Sequence, residues 1–153
     1  MEFKSILEIL RFSISKERAA VQFYQHLMSK ATRPGTRSLF EVLIQKEQEH
    51  IELLELEIEK LGHTVDAGKG AIDSPFHWEE RLGTDDSVHD MSFIESLLLA
   101  IQKERAAFRL YTQIIATVQD EKLGEVLLEL AEEEMRHVLQ LEKEYETITH
   151  HKD

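Results

Sequence analysis

Four stretches of the chain place apolar residues at helical spacing on one stripe and charge on the other. Ile6, Leu10, Ile14, Val21 and Leu27 mark the first, and Phe40, Leu43, Leu54 and Leu61 the second. Leu97, Ile101, Phe108, Ile115 and Val118 mark the third, and Leu127, Leu130, Val138, Leu141 and Tyr145 the fourth. Steps of this kind keep side chains on one helical face. The pattern predicts amphipathic helices over about residues 5–30, 36–61, 91–119 and 121–148. Ser5-x-x-Glu8 and Ser92-x-x-Glu95 have capping-box form and set the starts of the first and third helices. Arg33-Pro34-Gly35 is turn chemistry, which ends the first helix near Lys30 and starts the second near Thr36. The Gly-, Asp- and Ser-rich segment 62–90 is too long for a tight turn. Fully extended, it reaches roughly 95 Å, enough to run the length of a bundle. The expectation is all-α: one domain over 1–153, a four-helix bundle of two hairpins joined by a long crossover.

The two hairpins are versions of one design. Residues 16–20 read KERAA, and so do residues 103–107, an offset of 87. The same offset carries Ser5 to Ser92, Glu8 to Glu95, Tyr24 to Tyr111, Glu47 to Glu134 and His50 to His137.

Within these apolar stripes stand carboxylates. Glu17 shares a face with Leu10, Ile14, Val21 and Tyr24, and Glu104 with Leu97, Ile101, Phe108 and Tyr111. Glu47 lies among Phe40, Leu43 and Leu54, and Glu134 among Leu127, Leu130 and Leu141. An uncompensated buried carboxylate costs at least several kcal/mol, so four would exceed a typical stability of about 5–15 kcal/mol. They are protonated, paired with cations, or bound to metal. Lys16, Arg18, Lys103 and Arg105 adjoin the glutamates and are expected to point away, at about 100° per residue. Metal is then the best counter-charge. In Glu47-x-x-His50 and Glu134-x-x-His137 the i and i+3 positions share a face, so carboxylate and imidazole converge on one ion. Four carboxylates and two neutral imidazoles balance two divalent ions, or two ferric ions bridged by an oxide.

Composition narrows the chemistry further. The net charge of -12 opposes binding to nucleic acid or anionic membranes. No run of about 18 apolar residues and no cleavable signal layout is present, so a soluble cytoplasmic protein is expected. Without cysteine, thiolate metal sites and thiol nucleophiles are excluded, and any metal must use His, Asp or Glu.

The pattern Glu17, Glu47-x-x-His50, Glu104, Glu134-x-x-His137, with its two equal gaps of 30 residues, resembles the ferritin-like di-iron carboxylate proteins and, within them, the rubrerythrin family. The resemblance spans essentially the whole chain. It implies a ferritin-like bundle holding two iron ions, with manganese or a mixed pair also suited to these ligands. Glu17 and Glu104 then match the single glutamate ligands of helices 1 and 3. Glu47 and Glu134 match carboxylates that bridge or flank the pair, and His50 and His137 the terminal imidazoles. The implied activity is redox chemistry with peroxide or oxygen, as a peroxidase or ferroxidase type of oxidoreductase. The alternative is ferroxidase or iron binding for storage or delivery.

Two departures matter. Typical rubrerythrins add a four-cysteine rubredoxin module, so this chain is expected to draw electrons from an external donor. They also carry a further helix-3 glutamate where Ala107 stands here. The haem-ligating Met of bacterioferritin is replaced by Gln48, so no haem is expected by that route. A monomer and a homodimer, including one that swaps helices, both fit the sequence.

The remaining polar residues read more simply. Tyr24 and Tyr111 are expected to be core aromatics with bonded hydroxyls, and Glu49, Glu129, Glu132 and Glu133 solvated faces. His26, His63, His77 and His89 are expected on the surface or crossover, His150 and His151 at a frayed end, and Phe76 and Trp78 as crossover anchors.

Overall fold

Local chemistry sets the helix ends. A computed structural model of the chain describes residues 5–63 and 92–150 and contains α1 (Ile6–Lys30), α2 (Pro34–Lys60), α3 (Phe93–Thr117) and α4 (Glu121–His150). The expected crossover residues 64–90, including Phe76, His77, Trp78 and His89, lie outside the described residues, as does His151. At α1 the Ser5 hydroxyl accepts the Glu8 N–H at 3.1 Å. At α3 the box closes both ways: Ser92 Oγ accepts from Glu95 N–H at 3.1 Å, and Glu95 Oε1 from Ser92 N–H at 3.0 Å.

α2 starts at Pro34, two residues before the expected start. Proline suits the first turn of a helix, where no intrahelical partner awaits its missing N–H. At the other end Gly62, at φ +83°, donates to Glu59 O at 2.9 Å, and His63 N–H to Ile58 O at 3.3 Å. This left-handed glycine closure ends the helix and turns the chain. Leu61, expected inward, is therefore 43% exposed at the cap. Asp120 Oδ1 accepts the Leu123 N–H at 3.0 Å and begins α4.

α1 packs closely on α2, and α3 on α4; the hairpins meet more lightly through α1/α3 and α2/α4. The apolar residues form two clusters. One gathers Tyr24, Leu27, Phe40, Leu43, Leu97, Ala100, Val138 and Leu141. The other gathers Leu10, Leu54, Tyr111, Ile114, Leu127 and Leu130. Shifted by 87, Tyr24 becomes Tyr111, Phe40 becomes Leu127 and Leu54 becomes Leu141, so the repeat exchanges the two ends of the bundle. α1 and α3 are thus antiparallel: the residues after Glu17 pack with those before Glu104. Ile58, late in α2, joins one cluster, while Phe93, opening α3, packs on the other. The connection between the hairpins therefore joins opposite ends of a bundle roughly 40 Å long at 1.5 Å per residue.

Arg18 pairs with Glu55 at 3.3 Å, and Arg105 with Glu142 at the related position. Exposed pairs of this kind contribute little. Among the described residues no helix is long and apolar enough to cross a membrane.

Leu54 and Leu141 are each fully buried, at related positions in opposite clusters. Leu54→Ala and Leu141→Ala should each cost about 2–5 kcal/mol in denaturant unfolding. A loss confined to one of them would contradict two equivalent core ends.

Candidate metal centre

Between the two apolar clusters lies a polar layer, one turn from each helix. Glu17 from α1, Glu47 and His50 from α2, Glu104 from α3, and Glu134 and His137 from α4 are all at most 7% exposed. The i, i+3 spacing turns each histidine onto the same face as its glutamate, and hairpin packing sets the two faces against each other. His50 Nδ1 lies 3.3 Å from Glu134 Oε1, 3.5 Å from Glu17 Oε2 and 4.0 Å from Glu47 Oε1. His137 Nδ1 lies 3.0 Å from Glu47 Oε1 and 3.6 Å from Glu104 Oε2. The imidazoles are stacked, 6.0 Å between centroids.

All six sequence-selected residues thus come together, as two overlapping groups. Glu17, Glu47, His50 and Glu134 form one, and Glu47, Glu104, Glu134 and His137 the other, with potential ligand atoms within 4.8 Å of one another in each. Glu47 and Glu134 belong to both, a division that spacing alone left open. Glu17 Oε2, both Glu47 oxygens, Glu104 Oε2, Glu134 Oε1 and both Nδ1 atoms are buried without hydrogen-bond partners. Orphaned acceptors are costly unless something fills the space between them. Convergent carboxylate oxygens and imidazole nitrogens suit a first-row divalent cation.

The layer is electrostatically tense without a cation. Burial, followed by the charges of Glu17 and Glu104, pushes Glu47 well above the usual carboxylate range. Burial, followed by the charges of Glu104, Glu17 and Glu47, does the same to Glu134. For Glu17, burial acts upward, but the close approach of Glu47 and His50 and the His50 charge leave it lowered. Burial opposes the His50 charge, yet Glu17 raises it overall.

Tyr24 and Tyr111 are core aromatics with bonded hydroxyls, as expected, whereas the lysines and Glu133 beside the layer differ from expectation. Tyr24 O–H donates to Glu104, and Tyr111 O–H to Glu17 at 2.6 Å. Each tyrosine reaches the glutamate of the opposite hairpin: it sits two turns beyond the layer on its own helix, and its long side chain extends back toward it across the α1/α3 contact. Burial and the partner glutamates raise both phenols well above their ordinary range, so each keeps its proton. Lys16, expected to point away, is 6% exposed; it and half-buried Lys103 line a cavity beside the layer. Their ammonium groups lie over the Phe12 and Phe23 rings, 5.3 and 5.0 Å from the centroids, so the long stems fold inward along the aromatics. Arg18 and Arg105 do turn outward, to Glu55 and Glu142.

Glu133, expected on a solvated face, also differs. Its side chain is only 17% exposed, and Oε1 lies 3.9 Å from His137 Nε2. The signal was its place one turn before the histidine. Glu49, Glu129 and Glu132 are exposed as expected, whereas His26 is half-buried.

The cavity has a volume of about 20 Å³, room for about one water molecule. It lies between α1 and α3, lined by Lys16, Ala20, Phe23 and Tyr24 on one side and Lys103 and Ala107 on the other. Glu17, Glu47, Glu104 and Glu134 form its floor, and the histidines take no part in its lining.

The family described as Rubrerythrin matches residues 8–84, half of the chain. Among solved structures, a hypothetical protein from Pyrococcus furiosus is 24% identical, with a TM-score of 0.74, covering 96% of this chain and 92% of that one. A dodecameric thioferritin, the bacterioferritin-related protein from Bacteroides fragilis, is 21% identical with a TM-score of 0.72, covering 97% and 88%. A two-domain protein with DJ-1/ThiJ/PfpI-like and ferritin-like domains from Anabaena variabilis is 16% identical with a TM-score of 0.72, covering 99% of this chain and 39% of that one. These likenesses show a ferritin-like four-helix bundle. No curated protein matches the chain.

The protonation pattern predicts opposite pH responses with and without metal. Raised folded values at Glu47, Glu134 and His50 contribute stability below the unfolded values that is lost as pH rises through the folded ones. Glu17, lowered, contributes in the other sense and only in acid. The metal-free protein should therefore gain thermal stability from about pH 8 to about pH 6, while stabilisation by added divalent metal should shrink, because metal displaces those protons. Glu47→Gln should raise metal-free stability by about 1 kcal/mol or more and abolish most of the metal effect. Thermal unfolding with and without Co(II) measures both. Metal-free stability that rises with pH would contradict the arrangement.

Proposed function

The chain belongs to the rubrerythrin family, and from that premise we propose that it is a non-haem di-iron protein reacting with peroxide or oxygen at a carboxylate-bridged pair. The observation that carries this reading is the pair of overlapping ligand groups sharing Glu47 and Glu134. In it, Glu17 and His50 would hold one ion, Glu104 and His137 the other, with Glu47 and Glu134 available to both. Manganese or a mixed pair suits the same donors. When bound, two ferrous ions supply two electrons, which with two protons convert one hydrogen peroxide into two waters.

The residues around the pair give this reading its mechanism. Tyr111 and Tyr24 hold Glu17 and Glu104 through their hydroxyls, limiting carboxylate rotation across the hairpin interface. Their protons stay on the phenol oxygens because burial and carboxylate charge disfavour the phenolates. Ala20 and Ala107 leave a small α1/α3 cavity beside the glutamates, the proposed approach for a small oxidant. The lysines lining this approach can attract an anionic reactant and supply protons to it. Among these 153 residues there is no cysteine to form a rubredoxin-type centre, and electrons are proposed to arrive from elsewhere.

Iron oxidation for storage or delivery is the second reading, favoured by the fold shared with the dodecameric thioferritin. Storage requires a shell. A dimer-sized particle in light scattering, the expected result for the redox reading, would argue against mineral storage; a cage would support it.

Anaerobic loading should take up two ferrous ions per chain, and mixing with hydrogen peroxide or oxygen in stopped flow should then produce ferric absorbance. Glu17→Ala or Glu104→Ala should lower that amplitude at least tenfold, since each removes a direct ligand. Faster reaction with peroxide would support peroxidase chemistry, and faster reaction with oxygen the oxidase or ferroxidase alternative. Failure to bind two ions, or an unchanged spectrum in both variants, would refute the di-iron assignment.

A further inference from the structure

The halves of the centre match in their candidate ligands but not in the residues that support the histidines. On α4, Glu133 stands one turn before His137 and is held by Arg136, whose Nε donates to Glu133 Oε2 at 2.8 Å. This leaves Glu133 Oε1 facing His137 Nε2 at 3.9 Å. That nitrogen is buried and has no hydrogen-bond partner. At the related places on α2 the polarity is reversed: Lys46 stands one turn before His50 and pairs with Glu49 at 3.7 Å. Both pairs are i, i+3 ion pairs on their own helix, but the residue one turn before the histidine is a carboxylate on α4 and an ammonium on α2.

The difference has a chemical consequence. Each Nδ1 faces the carboxylate layer, so an imidazole using Nδ1 as a ligand carries its proton on Nε2 and needs an acceptor there. A carboxylate can accept that proton's hydrogen bond, which raises ligand basicity and fixes the ring; an ammonium has only donors. Closing 3.9 Å to a hydrogen bond requires about 1 Å of movement by a half-buried side chain. Glu133 also favours the charged form of His50, but its approach within 4 Å is to His137.

We propose that the two metal positions are unequal, the one served by His137 binding its ion first and more tightly because Glu133 supports that imidazole while Lys46 cannot support His50. This rests on the two-metal reading above. Glu133 is a positioning residue, acting through His137, and the reversed ion pairs impose order on an otherwise symmetric centre.

The test is calorimetric titration of the metal-free protein with Co(II), alongside the ligand-field absorption of the first equivalent. Wild type should show two steps separated by about tenfold or more. Glu133→Gln should weaken the first step by about tenfold, with its spectrum shifted, and leave the second nearly unchanged. Lys46→Glu should strengthen the second step and draw the two together. His50→Ala should retain the tight step, and His137→Ala should lose it. Two equivalent steps in wild type, or unchanged constants in both Glu133→Gln and Lys46→Glu, would overturn the inequality while leaving the two-metal reading intact. No Co(II) binding at all would overturn both.

Discussion

Four glutamates are held in one buried layer where two helical hairpins meet, and the rest of the molecule is arranged around the repulsion among them. Such a layer is stable only when the charges are neutralised by protons or cations. Glu47 and Glu134 are driven toward protonation by burial and by their neighbours. The apolar clusters on either side keep the layer buried. The bundle therefore presents a pre-assembled demand for positive charge, and cation binding is coupled to fold stability.

The internal repeat explains how a chain of ordinary helices builds that layer. One hairpin supplies a glutamate and a Glu-x-x-His pair; its half-turned copy supplies the same set. Antiparallel packing also gives the repeat cross-connections that neither half contains by itself, with Tyr24 reaching Glu104 and Tyr111 reaching Glu17. These bonds bind the hairpins together at the place where their interface is polar. Symmetry ends at the surroundings: the reversed Lys46–Glu49 and Glu133–Arg136 pairs distinguish the histidines, while the cavity opens on the side away from them.

That division of sides gives a functional polarity. The histidines come from α2 and α4, and the approach lies between α1 and α3, where Ala20 and Ala107 keep the space open. The chain belongs to the rubrerythrin family, and its four glutamates and two histidines form the candidate metal layer.

Much of this was determined by the sequence alone. Helical periodicity, the KERAA repeat and the paired Glu-x-x-His motifs were enough to select Glu17, Glu47, His50, Glu104, Glu134 and His137, because a carboxylate on an apolar stripe contradicts local burial energetics and needs a tertiary reason. Tertiary structure alone decided which glutamates are shared, since membership in both groups depends on how two helix pairs are set against each other. It also decided the tyrosine partners, which lie 80 and 94 residues away in the chain. Lys16 and Glu133 were misread for a related reason. A helical position gives the direction in which a side chain leaves its helix, but a long side chain can fold back along an aromatic ring or toward a neighbouring imidazole, and only packing determines whether it does.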